Sequence, residues 1–337
     1  MTSPHKSAVL LLAHGTPNVL GEMAEYLSKV TGGRPLPNEV VKELQHRYAQ
    51  IGLCDTPGPQ PPPLTKWTFT QCDALRNTLA AAGTPLPVYA AMRNWHPYIA
   101  DVVAQMRADG IRRVITICLA PQNSRTSIGL YRRALMSVVD GLDIIFIDAW
   151  SEEPLLIEAF TQRLVETYPQ AVSEAGAALP ILFTAHSVPC RTIMTGEASV
   201  AGARPGTQPQ TTPDPYPVEA KRTAELVFAA AERQLPKLNV APPLSWFFAF
   251  QSQGVAGGPW IGPTVEDTLA AIRDQGHKAV VLQPIGFVCD HVEILYDIDI
   301  AFTQIAAELG LRLFRPQSLN DSPVLAEALA HVVRRHL

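Results

Sequence analysis

Positive charge is scarce in this chain of 337 residues: 27 Lys and Arg stand against 31 Asp and Glu, a net charge of -4. That disfavours nucleic acid as the main partner, because phosphate recognition needs a basic surface. Charged residues of either sign make up only 17% and hydrophobic residues 47%, which suits a packed core and not disorder. Long apolar runs are missing too; none approaches the roughly 18–20 residues that cross a bilayer. The short run Ala8–Ala13 ends in His14-Gly15-Thr16-Pro17, which is no small-residue cleavage site, so a strand is expected there and not a signal peptide. The cysteines are five, Cys54, Cys72, Cys118, Cys190 and Cys289, widely spaced and without C-x-x-C. This argues against a disulfide framework or a structural zinc site; buried or half-buried thiols in a reducing cytoplasm are expected. Phosphate-cradling G-x-G-x-x-G and G-x-x-x-x-G-K-[ST] loops are absent, as is the G-x-S-x-G elbow, and Gly254-x-x-Gly257-Gly258 is too loose to replace them. Nucleotide dependence is therefore disfavoured.

What is present is an alternation of short apolar runs with longer helical patterns. Strands are expected at Ala8–Ala13, Val88–Ala91, Val114–Leu119, Ile144–Ile147, Ile181–Thr184, Trp246–Phe250 and Val280–Pro284. Their continuous apolarity marks strands buried on both faces of a parallel sheet. Helices are expected at Glu22–Val30, Asn38–Gln50, Tyr98–Ala108, Glu153–Thr167, Pro217–Gln234, Thr264–Asp274 and Pro323–Arg335, the last capped by Asp321-Ser322. The Pro-rich stretches Thr56–Leu64 and Ala203–Pro217 read as surface loops.

The chain also echoes itself. Leu12-Ala13-His14-Gly15-Thr16-Pro17 returns as Thr184-Ala185-His186-Ser187-Val188-Pro189, and Asp109-Gly110 before Arg113-Val114 returns as Gln275-Gly276 before Ala279-Val280. Two related α/β halves are expected, residues 1–150 and 151–315, with a C-terminal helix in 316–337 packing back on the first half. Ligands of open α/β sheets bind beyond the carboxyl ends of the strands, so His14 and His186 would stand at equivalent strand ends lining one cleft.

The strongest cluster follows the run at Val280–Pro284: Gly286-Phe287-Val288-Cys289-Asp290-His291-Val292-Glu293-Ile294-Leu295-Tyr296-Asp297. A helix would place Glu293 and Asp297, four apart, on one face. Paired carboxylates suit proton transfer or a hard cation. Equally, Asp290 could cap a helix with Glu293 completing a capping box. His186, after a buried strand, could be a satisfied structural group, or it could accept a proton near pH 7 or bind a metal.

At these motifs the chain resembles the ferrochelatase family over nearly its whole length. Thr184–Pro189, Asp214-Pro215-Tyr216-Pro217, Gln251-Ser252 with Pro259-Trp260-Ile261-Gly262-Pro263, and Gly286–Asp297 occur in the family's order. Gly33-Arg34, Arg47-Tyr48 and Ile51-Gly52 match its N-terminal region. The resemblance implies two Rossmann-like, chelatase-type domains without a nucleotide, parallel sheets flanked by helices, and a porphyrin in the cleft between them. It implies insertion of ferrous iron with release of two protons, either into coproporphyrin III or into protoporphyrin IX. His186 and Glu293 would be the catalytic pair and, with Asp297, the groups that meet the metal. Arg34, Arg47, Tyr48, Ser124 and Tyr131 would bind the porphyrin, along with His14, which would also be an axial ligand of the inserted iron. Iron is a substrate here; no permanent cofactor and no [2Fe–2S] cluster is expected. A cytoplasmic monomer is expected, with no partner beyond porphyrin and iron except peripheral membrane contact, for which Trp67 and Phe69 could form an apolar lip or else be core aromatics.

The chain departs from the family at four places. His14 stands where family members often carry Tyr or Met, so a second histidine would face the opposite side of the ring. Ala301 stands where many relatives carry a third carboxylate, Leu53-Cys54-Asp55-Thr56-Pro57 replaces the usual loop, and Glu197–Pro213 looks inserted. Two other functions compete: a chelatase placing cobalt or nickel in a sirohydrochlorin-like ring, and a non-catalytic haem- or porphyrin-binding protein.

Overall fold

Strand β1, Ser7–Ala13, is buried almost throughout, as a strand covered on both faces must be. The computed structural model describes residues 6–194, 213–253 and 259–337. The Gly254–Gly258 motif, the segment 197–212 and the first five residues lie outside them. The chain divides into two units, one holding residues up to Trp150 together with Asn320–Leu337, the other running from Ser151 to Leu319.

In the first unit β1 is followed by α1 (Met23–Val30), α2 (Asn38–Gln50), α3 (Pro63–Ala81), β2 (Val88–Met92), α4 (Ile99–Ala108), β3 (Arg113–Cys118), α5 (Ile128–Met136) and β4 (Asp143–Ile147). The four strands are parallel, in the order β2-β1-β3-β4. Leu10, Leu12, Val103, Met106, Val114 and Leu135 join a core on one side of this sheet. The second unit repeats the scheme with α6 (Pro154–Ala175), β5 (Ile181–His186), α7 (Cys190–Met194), α8 (Tyr216–Gln234), β6 (Trp246–Gln251), α9 (Val265–Asp274), β7 (Ala279–Pro284), α10 (Val292–Leu295), α11 (Thr303–Glu308) and β8 (Arg312–Phe314). Its strands are again parallel, in the order β6-β5-β7-β8. The two orders are the same, and the sequence echoes fall on matching strands: β1 with β5, and β3 with β7. The last helix, α12 (Pro323–Arg334), belongs to the first unit and packs on α3. Ser322 caps it, its Oγ accepting from the Leu325 amide at 3.4 Å.

All seven expected strands are present, and β8 with helices α5, α7 and α11 are additions to the expected elements. Other features differ from expectation. Helix α3 begins inside the stretch read as a Pro-rich loop, because Pro63 occupies the first helical position, where its missing N–H costs nothing. Trp67 and Phe69 lie on α3, half-buried and exposed, so neither is a core aromatic. Helix α6 runs on to Ala175 through Pro169; next to that proline, buried Tyr168 donates to the Leu179 carbonyl (3.0 Å) and accepts from its amide (2.9 Å), tying the last turns to the chain entering β5. The acidic stretch, finally, is not one regular helix. After α10 the backbone widens into a π-helical segment, Asp297–Phe302, in which the Ala301 amide reaches back to Tyr296.

Candidate active site

In both sheets the first strand in sequence lies between its neighbours, so the chain leaves its carboxyl end where strand order reverses, the place where open α/β sheets collect ligands. His186 is the last residue of β5. Its Nδ1 faces the Ser187 carbonyl. A carbonyl only accepts, so Nδ1 carries the proton and Nε2 is left as the titrating nitrogen. Tyr216, opening α8, donates its hydroxyl to the His186 carbonyl at 2.9 Å. Ser187 donates to the Ile261 carbonyl at 2.8 Å, and its amide donates to the Gln251 carbonyl at 2.7 Å. The strand end is thereby fixed on several sides.

Glu293 meets His186 from the segment after β7, with its Oε1 3.4 Å from Nε2. Its Oε2 lies 3.5 Å from Nε2 of His291, whose Nδ1 donates to the Cys289 carbonyl at 3.0 Å. One carboxylate thus receives two imidazoles, each turned so that Nε2 faces it. The side chains of His186, His291 and Glu293 are 32%, 14% and 29% exposed. Burial pulls the His186 pKa down, but the charge of Glu293, its hydrogen bond, the Ser187 carbonyl and Asp297 outweigh it, and the net shift is upward. Burial likewise pushes Glu293 up, and the two histidines outweigh it, holding its carboxyl well below the usual range. Each group therefore favours the charged form of the other.

Close approach makes this contact possible. A Cβ on Gly286 would come within 3.2 Å of the Ala185 Cβ, so a side chain there would push the turn after β7 away from the end of β5 by a few tenths of an ångström. Buried Gln251 ties the two sides: it accepts from the Thr184 hydroxyl at 2.7 Å and donates to the Glu293 carbonyl at 2.8 Å. Ile294, Ile298 and Phe302 are buried in the core. They follow Glu293, Asp297 and Ala301 by one residue each, so the apolar face sets where the acidic one looks.

Asp297 is buried and accepts from the Ser252 hydroxyl. Ser252 adopts a left-handed backbone, φ 59°, a strain that concentrates at functional sites. No capping box forms at Asp290. Its carboxylate accepts from Ser318 instead, at 2.6 Å, and His291 is the residue before α10. Among the described residues, no three His, Cys, Asp or Glu side chains are gathered as a metal-holding group. His186, Glu293 and Asp297 are thus near one another without forming a ready-made cage, since Glu293 is shared by two histidines and Asp297 is turned to Ser252. All five cysteines are free thiols. Cys118 and Cys289 are buried, and burial drives their pKa values up and keeps them protonated.

In the first unit, His14 follows β1. The Asn94 amide lies 2.9 Å from its Nε2, and Nδ1 lies 3.1 Å from the Tyr26 hydroxyl and 3.3 Å from the Gly15 carbonyl. Gly15, at φ +91°, has the Trp95 backbone 2.8 Å from where a Cβ would stand. Arg34 is exposed beyond α1, and Arg47 on α2 pairs with Glu43 at 3.0 Å. Tyr48, Ser124 and Tyr131 are buried, and the Arg93 guanidinium lies 5.6 Å from the Tyr131 ring centre. Sequence reasoning missed His291, Gln251 and Ser252 as working residues, although all three lie in motifs it singled out. For His291 a signal was available, two positions before Glu293.

The fold of two parallel four-stranded sheets flanked by helices is one that chelatases of known structure share. A cobalt complex of the sirohydrochlorin chelatase SirB from Bacillus subtilis subspecies spizizenii superimposes with a TM-score of 0.52 at 9% identity, covering 98% of this chain and 94% of that one. The family model described as Ferrochelatase matches residues 6–337. Ferrochelatase of Acidobacterium capsulatum is 51% identical, covering 98% of this chain and 95% of its own. Ferrochelatase of Herpetosiphon aurantiacus is 39% identical, with 97% and 98% covered. Coproporphyrin III ferrochelatase of a Geobacillus species is 30% identical, with 98% of each chain covered. This chain belongs to the ferrochelatase family.

Proposed function

We propose that this protein inserts ferrous iron into a porphyrin, with His186 and Glu293 as its catalytic pair. The observation that carries the assignment is the 3.4 Å contact between His186 Nε2, at the end of β5, and Glu293 on α10. The family match over residues 6–337 supports the reaction and weighs against the sirohydrochlorin-type and non-catalytic alternatives.

The balance is simple: a ferrous ion and a neutral porphyrin give the iron porphyrin and two protons. Pyrrole N–H groups give up protons reluctantly while the ring is planar. Interactions stronger with the bent ring than with the flat one lower that barrier. A proton held on Nε2 by Glu293 must leave before that nitrogen can act as acceptor. A dication nearing Glu293 weakens the carboxylate's hold on that proton, which passes to solvent, and the freed nitrogen then takes one from the ring. The second ring proton leaves for solvent along the carboxylates of Glu293 and Asp297. Asp297 extends the acidic path and, with His186 and Glu293, supplies the oxygen and nitrogen donors that suit passing ferrous iron. Porphyrin recognition is assigned to His14, Arg34, Arg47, Tyr48, Ser124 and Tyr131. Arg34 and Arg47 are the cations for propionates, and Arg47 exchanges Glu43 for a propionate at small cost because that pair is largely exposed. For His14 to serve as an axial ligand, Asn94 must release its Nε2.

The test is anaerobic iron insertion followed by absorbance, with coproporphyrin III and protoporphyrin IX in parallel. Turnover of either, abolished in His186→Ala, supports the assignment and names the substrate. Porphyrin binding without turnover in the wild type would sink it.

A further inference from the structure

The acidic segment is held from outside by a cation with no part in the chemistry above. Arg315 follows β8. Its Nε and Nη2 grip the two oxygens of Asp299, the latter at 2.7 Å, while Nη1 stands 3.6 Å from Asp290 Oδ1. Ser318 reinforces the Asp290 end through its 2.6 Å bond, and Nη1 also donates to the Pro316 carbonyl at 3.1 Å. The side chains of Arg315 and Asp290 are 16% and 18% exposed. A forked, largely buried contact of this kind is far more directional than a surface ion pair.

The two anchor points bracket the working residues. Asp290 lies three positions before Glu293, and Asp299 lies two after Asp297. Between them the helix is irregular. A π turn is rare, gives poorer backbone geometry than an α turn, and recurs at functional sites. Here the competing arrangement is close at hand: Ala301 N–H could leave Tyr296 and bond Asp297, as an ordinary α-helix would have it. That exchange would rotate the residues on the amino-terminal side, Glu293 included, relative to the buried Ile298 and Phe302. The grip on Asp299 lies inside the π turn and opposes it.

We propose that Arg315 is a positioning residue for metal insertion: by bridging Asp290 and Asp299 it fixes both ends of the acidic segment and keeps Glu293 against His186. The inference rests on the catalytic pair assigned above.

Arg315→Met and Arg315→Lys would be assayed in the full chain, at a temperature where circular dichroism shows them folded. The expected result for Arg315→Met is a fall in kcat of about 10- to 100-fold, the scale of a small misplacement of catalytic groups. KM for the porphyrin should stay within about threefold, since ground-state binding is untouched. Arg315→Lys keeps the charge without the fork and should recover only part of the loss. Amides of residues 296–302 should exchange hydrogen faster in both. Should Arg315→Met not fold, Asp299→Asn, which loosens the same fork, carries the same expectations. A folded variant with wild-type kcat and unchanged exchange at 296–302 overturns the proposal. So does a variant whose only change is a lower melting temperature. An inactive wild type would instead refute the reaction assigned above, and exchange at 296–302 would still decide the clamp.

Discussion

His186 and Glu293 raise and lower each other's pKa, and the direction of each shift predicts how activity follows pH. A proton acceptor works only when unprotonated. With its pKa raised, His186 in the free protein is protonated at low pH, so kcat/KM for iron should rise with pH through a value above the ordinary histidine value of about 6.5. Glu293→Gln removes the largest influence pushing that value up. The acidic limb of the pH–kcat/KM profile should then move to lower pH, while kcat falls by about 10²–10⁴-fold. A limb that stays in place would mean another group titrates. Gln251 is a second residue-scale test. Gln251→Leu removes the partners of the Thr184 hydroxyl and the Glu293 carbonyl, both bonded to it now. Leaving buried polar groups unpaired should cost about 1–3 kcal/mol each, read from the urea midpoint.

At the scale of elements, each functional residue sits at an end or an irregularity. His186 ends β5, Ser252 follows β6 in a left-handed turn, and Glu293 and Asp297 flank the change from α to π geometry. Regular stretches supply rigidity. Helix α6 illustrates how: Tyr168 closes two hydrogen bonds with the Leu179 backbone just before β5. Tyr168→Phe should destabilise the fold by about 1–3 kcal/mol through the unpaired Leu179 groups. Since β5 carries His186, faster amide exchange at its start is expected in this variant, with little change in β1.

At the scale of the whole chain, stability is organised by unit. Helix α12 is buried through Leu325, Leu329, Val332 and Val333 and covers α3, so the last residues complete the first unit. Leu329→Ala should cost about 2–5 kcal/mol, the range for emptying a core leucine site. The loss should appear in denaturant unfolding followed through the first unit, with the His186 titration unchanged. A shift in that titration would show that the units do not respond separately. No helix of the described residues is long and apolar enough to cross a membrane.

Much of this was open to reading from residue order alone. Continuous apolar runs specify parallel buried strands whatever surrounds them, because alternation would leave polar groups inside. The echo of His14 at His186 places both at the ends of corresponding strands, and the motifs around them carry the family. Helix α3 escaped notice because its start is rich in proline, which is a loop signal except at a first helical turn. The pairing of His186 with Glu293 across more than one hundred positions, the second imidazole on the same carboxylate, the π turn and the Arg315 fork belong to tertiary structure. Spacing along a chain fixes neighbours within one helix or strand. Contacts between elements depend on how buried side chains such as Ile294, Ile298 and Phe302 pack, and packing is settled only when the whole unit closes around them.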